Sequence, residues 1–112
     1  MKLVNRRNGA VLADQIEKST TILTRLRGLL GRHSLTGALV IEPCTSIHTL
    51  FMKFTIDAAF LARDGRVIRA ISALGPWRVT RIYPAASCVV ELPEGTLART
   101  QTAEGDVLAF EV

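Results

Sequence analysis

Met52-Lys53-Phe54-Thr55-Ile56-Asp57-Ala58-Ala59-Phe60-Leu61 is the stretch on which the fold turns. Met52, Phe54, Ile56, Ala58 and Phe60 alternate with Lys53, Thr55 and Asp57, the period of two that sets side chains on opposite faces of a strand. Asp64-Gly65 then supplies a tight-turn signal, and Arg66-Val67-Ile68-Arg69-Ala70-Ile71 reads as the returning strand of a hairpin. Working outward, Asn8-Gly9 predicts a second hairpin between residues 2–7 and 10–17. Ala38-Leu39-Val40-Ile41 is a short apolar run stopped by Glu42-Pro43 and fits a buried strand. Gly75-Pro76 breaks the chain, with a strand expected around Arg78–Tyr83. Cys88–Leu92 and Val107–Val112 are the last two strand candidates, separated by turns holding Pro93, Gly95 and Gly105.

One segment keeps a helical period. Ile22, Leu23, Leu26, Leu29 and Leu30 form a single apolar stripe, so a short α-helix is expected near residues 20–30, capped by Ser19 or Thr20 and ended at Gly31. Many short strands with frequent turns and one helix predict a mainly β fold, a small antiparallel β-barrel or sandwich. Its core is expected to hold Leu23, Leu26, Leu30, Val40, Met52, Phe54, Ile56, Phe60, Val67, Val90 and Leu92.

The 112 residues correspond to a single domain, 1–112, and the 48% hydrophobic content excludes intrinsic disorder. No run of 18 uncharged apolar residues is present, so no membrane span is expected. The charged start lacks a following apolar segment or small-residue cleavage site, which makes the cytoplasm the expected location. There, Cys44 and Cys88 are expected to be unbridged thiols. The net charge of +4 is unevenly spread. Residues 1–33 hold seven basic residues against two acidic, and 63–81 hold five arginines against Asp64. Residues 82–112 hold only Arg99 against five acids. Segregation of this kind suits an anionic partner or head-to-tail association. Nucleic acid is not the favoured partner, because Trp77 and Tyr83 are too few for a base-stacking platform.

The densest group of reactive side chains is Pro43-Cys44-Thr45-Ser46-Ile47-His48-Thr49-Leu50-Phe51-Met52. A histidine can take the proton of a thiol and leave a nucleophilic thiolate, but no oxyanion-hole signature accompanies the pair. Cys44, His48 and Cys88 with His33 or Asp57 are of the ligand types zinc accepts, yet the spacing lacks the two local pairs typical of such sites. Neither a metal nor another cofactor is therefore expected. Asp57 reads as a solvated or barrel-mouth carboxylate, and Glu91 and Glu94, flanking Pro93, read as turn residues.

Taken together the motifs resemble a bacterial and archaeal family known as domain of unknown function 192. Arg27-Gly28-Leu29-Leu30-Gly31-Arg32 is similar to its arginine/glycine-leucine motif, and His48 to Leu61 to its central segment. Val90-Glu91-Leu92-Pro93-Glu94-Gly95 and Gly105-Asp106 resemble its two late signatures. The Pro43-Cys44-Thr45-Ser46-Ile47-His48-Thr49 variant looks like one subgroup. The resemblance implies a small, mostly antiparallel β fold with one short helix and brings no established reaction. It marks His48, Met52, Asp57, Glu91, Gly95 and Asp106 as signature positions, to which the residues themselves add Cys44. The expected function is a non-enzymatic accessory or binding module whose protein partner meets the chain around His48, Met52 and Asp57. The alternatives are a small enzyme, such as a hydrolase, using Cys44 or His48, and an anion or nucleic-acid binder using the arginines of 63–81.

Overall fold

The computed structural model describes residues 1–19 and 34–112. The expected helix over 20–30, with Leu23, Leu26 and Leu30, lies outside the described residues. Among the described residues there are eight strands: β1 (Lys2–Asn5), β2 (Val11–Ala13), β3 (Ile16–Ser19), β4 (Ala38–Ile41), β5 (Ile56–Leu61), β6 (Val67–Leu74), β7 (Cys88–Pro93) and β8 (Leu108–Glu111). A single helical turn, α1 (Thr96–Arg99), follows β7.

The strands form two sheets, ordered β2-β1-β8 and β3-β4-β7-β5-β6. Neither closes on itself, so the architecture is a sandwich and not a barrel. All pairings are antiparallel except β3 with β4. Leu3, Leu12 and Leu108 from the smaller sheet pack against Val40, Ala59, Leu61, Val67, Val90 and Leu92 from the larger. The larger sheet is covered on its other face as well, where Leu39, Ile41, Ile56, Ala58, Phe60 and Val89 meet Leu35, Cys44, Ile47, Met52 and Ala86. This double covering explains why β4, β5 and β7 lack a polar face: a strand buried on both sides gains from apolar residues at every position. Fully burying a side chain such as Phe60 contributes about 2–3 kcal/mol.

Both turn signals fall in turns. At the first, Asn5 N–H donates to the Ala10 carbonyl (2.8 Å) and Gly9 N–H to the Asn5 carbonyl (2.7 Å), making the loop longer than the two residues Asn-Gly alone can span. At the second, Gly65 has φ +91° and sits against β8, its carbonyl accepting from Leu108 N–H (2.9 Å). Two expectations need correction. Strand β5 begins at Ile56 and not at Met52, because Phe51 adopts φ +66° and Met52 N–H bonds back to the Thr49 carbonyl. Residues 78–83 form no strand; they run beside residues 45–49 with a single bridge, His48 to Val79. Of the described core residues named in advance, only Phe54 is half-buried; the others are buried. Among the described residues, no helix is long and apolar enough to cross a membrane.

Candidate functional site

The signature positions separate into a buried framework and one exposed surface. Asp57, expected to be solvated, is 1% exposed. Its place in β5 faces a bulge in β6, where Ile56 pairs with Leu74 but Ala58 pairs with Ile71. The bulged Ala73, at φ +55°, donates its N–H to Asp57 Oδ1 (3.0 Å). Asp57 Oδ2 accepts from Leu97 N–H in the first turn of α1 (2.9 Å). One carboxylate thus satisfies a bulge donor and a helix-end donor that regular pairing leaves over. Gly95, at φ +91°, makes the left-handed step into α1, so Asp57 and Gly95 act on the same turn.

Glu91 lies opposite Leu39 and Ala58, on the sheet face away from Asp57, whose cross-strand neighbour is Leu92. It is a buried β7 residue and not part of the turn. Burial pushes its carboxyl up to about 7. Asp106 occupies a third place. It accepts from Arg7 Nε (2.7 Å), Ala103 N–H (2.9 Å) and Asn5 Nδ2 (3.0 Å), tying the first hairpin to the loop before β8. The Arg7 hydrogen bond, then those from Ala103 and Asn5, bring its carboxyl down to about 2.

Cys44 and Met52 share the second core cluster, while His48 is exposed. The Cys44 thiol donates to the Ser46 carbonyl (2.9 Å), and His48 Nδ1 accepts from Leu50 N–H (3.3 Å). Among the described residues no hydrogen bond joins the two, so the geometry holds no nucleophile–base pair. Cys88 is likewise a buried free thiol, raised to about 11 chiefly by burial and then by Glu42. Among the described residues, no three His, Cys, Asp or Glu side chains come together in a group able to hold a metal ion.

The exposed surface is built on Thr49, which is fully buried. Its carbonyl accepts from Met52 N–H (3.1 Å) and Trp77 N–H (2.9 Å), and its N–H donates to the Arg78 carbonyl (2.8 Å). Its hydroxyl donates to the Gly75 carbonyl (2.6 Å) and accepts from Arg78 N–H (2.9 Å). Two loops are thereby locked side by side, with Phe51 (φ +66°) and Trp77 (φ +64°) in left-handed conformations unfavourable to bulky residues. Their rings meet with centroids 4.7 Å apart. Phe51, Trp77, Val79 and Ile82 are 60–70% exposed and make up four of the eight large hydrophobic side chains that the described residues expose. His48, Lys53, Arg78 and Arg81, all exposed, belong to the same two loops. Sequence reasoning reached His48 here but missed the aromatic pair; the available signal was an aromatic residue directly after the Gly75-Pro76 break.

Residues 3–110 match the family of uncharacterised ACR proteins, domain of unknown function 192 (DUF192). The chain belongs to that family. It is 31% identical over 116 residues to a UPF0127 protein of Thermococcus gammatolerans, covering 98% of this chain and 75% of that one. A UPF0127 protein of Thermococcus sibiricus is 30% identical with the same coverage. A crystal structure of a protein of unknown function from Novosphingobium aromaticivorans shares the fold, with a TM-score of 0.82 at 18% identity over 97% of this chain and 82% of that chain.

Proposed function

We propose that the protein is a non-enzymatic binding module, and that its partner is a protein seated on the loops 45–53 and 75–83. The observation that carries this reading is the Phe51–Trp77 pair: two large aromatics held exposed, in strained backbone, by a buried hydrogen-bonding hub. Strain of this kind costs roughly 1–3 kcal/mol per residue and persists only where the surroundings over-determine it. Trp and Arg are also the residues in which interface energy most often concentrates. Of the positions first expected at the interface, His48 lies on this surface. Met52 is buried in the core behind it, and Asp57 is buried elsewhere, bonded to Ala73 and Leu97.

A photocrosslinking residue at position 51, compared with the same residue at position 112, tests the reading in cells. Position 51 should trap one protein, and that protein, once purified, should bind Trp77→Ala at least tenfold more weakly than wild type. The reading is wrong if position 51 traps no more than position 112, or if Trp77→Ala binds unchanged. A Cys44 thiol alkylated abnormally fast at neutral pH would instead favour an enzyme.

A further inference from the structure

The stretch 77–83 runs beside residues 45–49 and is tied to them by part of its backbone. Trp77, Arg78, Thr80 and Tyr83 all turn their N–H groups inward, to Thr49 O, Thr49 Oγ1, Ile47 O and Thr45 O. Among the described residues, the N–H groups of Val79, Arg81 and Ile82 and the carbonyls of Val79 and Ile82 take part in no backbone hydrogen bond. All three residues are exposed. This stretch therefore leaves backbone groups open for pairing, with the exposed apolar side chains of Val79 and Ile82 among them. Lys53, Arg78 and Arg81 supply positive charge, and residues 43–56 and 75–83 contain no Asp or Glu.

Building on the reading of this surface as a protein-binding site, we infer that the partner presents an extended segment alternating acidic and apolar residues, which adds as a strand to the Val79–Ile82 edge. Main-chain pairing satisfies the open N–H and C=O groups, and alternate side chains meet either the apolar patch or the cations. A lipid surface fits less well, because unpaired backbone groups gain no partners in hydrocarbon. A second copy of this chain also fits less well. Of the five acidic residues in 82–112, Asp106 is engaged with Arg7, Glu104 with Arg69 and Glu91 is buried, which leaves only Glu94 and Glu111, both exposed.

Trp77 is the only tryptophan, so its emission reports this surface alone. The probes are two pools of twelve-residue peptides free of tryptophan, one alternating Asp or Glu with Leu, Ile or Phe, the other with Lys or Arg in the acidic positions. Phosphatidylglycerol vesicles and dilution of the protein alone complete the set. The acidic pool should shift the emission to the blue, with affinity falling at least fivefold between 50 and 300 mM salt. It should also slow hydrogen exchange of the Val79 and Arg81 amides at least tenfold. Arg78→Glu/Arg81→Glu should switch the response to the basic pool. The inference is overturned by no response to the acidic pool, an equal response to the basic pool, or a shift without amide protection. A shift that follows the vesicles or protein concentration in place of the peptides overturns it too. If the acidic pool fails while the protein trapped at position 51 still binds, strand addition alone is refuted; if the crosslink fails as well, so does the binding surface.

Discussion

Asp57 shows how much one side chain can decide. Its two oxygens take donors 16 and 40 residues away in sequence, Ala73 N–H and Leu97 N–H. Asparagine has a single acceptor oxygen, and its amide NH2 would face one of those N–H groups. Asp57→Asn should therefore destabilise the fold nearly as much as Asp57→Ala, by about 2–5 kcal/mol in urea unfolding, since both leave a buried donor unpaired. The glycines provide a second contrast. At Gly65 a Cβ would run into the Leu108 carbonyl oxygen, whereas at Gly95 the space is open although φ is the same +91°. Gly95→Ala should cost only the left-handed penalty of about 1–2 kcal/mol. Gly65→Ala must also push two sheets apart, and should lower the thermal midpoint far more in a paired melt.

At the scale of elements, Thr49 is the test of whether the exposed loops are pre-set. Thr49→Val keeps the shape but removes the hydroxyl that serves Gly75 and Arg78. It should cost about 1–3 kcal/mol and speed amide exchange at Trp77 and Arg78 while leaving β4, β5 and β7 protected. A mutant protecting Trp77 and Arg78 as well as wild type would show that the hydroxyl is not the lock. The elements also mark the reach of the sequence. The run from Met52 to Leu61 revealed a strand and its hairpin, because alternation and Asp64-Gly65 are local signals. The same alternation suggested an outward Asp57, because period two says which residues share a face and not whether both faces are covered. Residues 78–83 looked like a strand; they are bonded to residues 45–49 but form a single bridge and no ladder. Nothing local indicates that Thr49 would gather Phe51 and Trp77, since its partners lie 26 to 29 residues away.

For the whole molecule, the two strongly shifted carboxyls set opposite limits on stability. Glu91 is raised from 4.5 to about 7, so the fold favours its neutral form. That contribution is complete below about pH 4.5 and is lost as pH rises through 7, an effect on the order of 3 kcal/mol. Asp106 is lowered from 3.8 to about 2, so its contribution is present above pH 4 and is lost as pH falls through 2. Stability measured by denaturant unfolding should peak near pH 4–5, and Glu91→Gln should flatten the alkaline side only. An unchanged slope between pH 5 and 7 in that variant would assign the decline to other groups.

The strand order has a consequence for how the chain is made. β7 (Cys88–Pro93) lies between β4 and β5, both of which leave the ribosome earlier. Until residue 93 has emerged, Ala38–Ile41 and Ile56–Leu61 have no shared neighbour, and two of the most apolar strands must wait with open edges. The smaller sheet waits longer still, since Lys2 pairs with Glu111. Everything from residue 2 to residue 111 must be synthesised before β1 has its last partner. Pairing of β1 with β8 is thus delayed until residue 111 has emerged, while the hairpin of β5 and β6 can form well ahead of it.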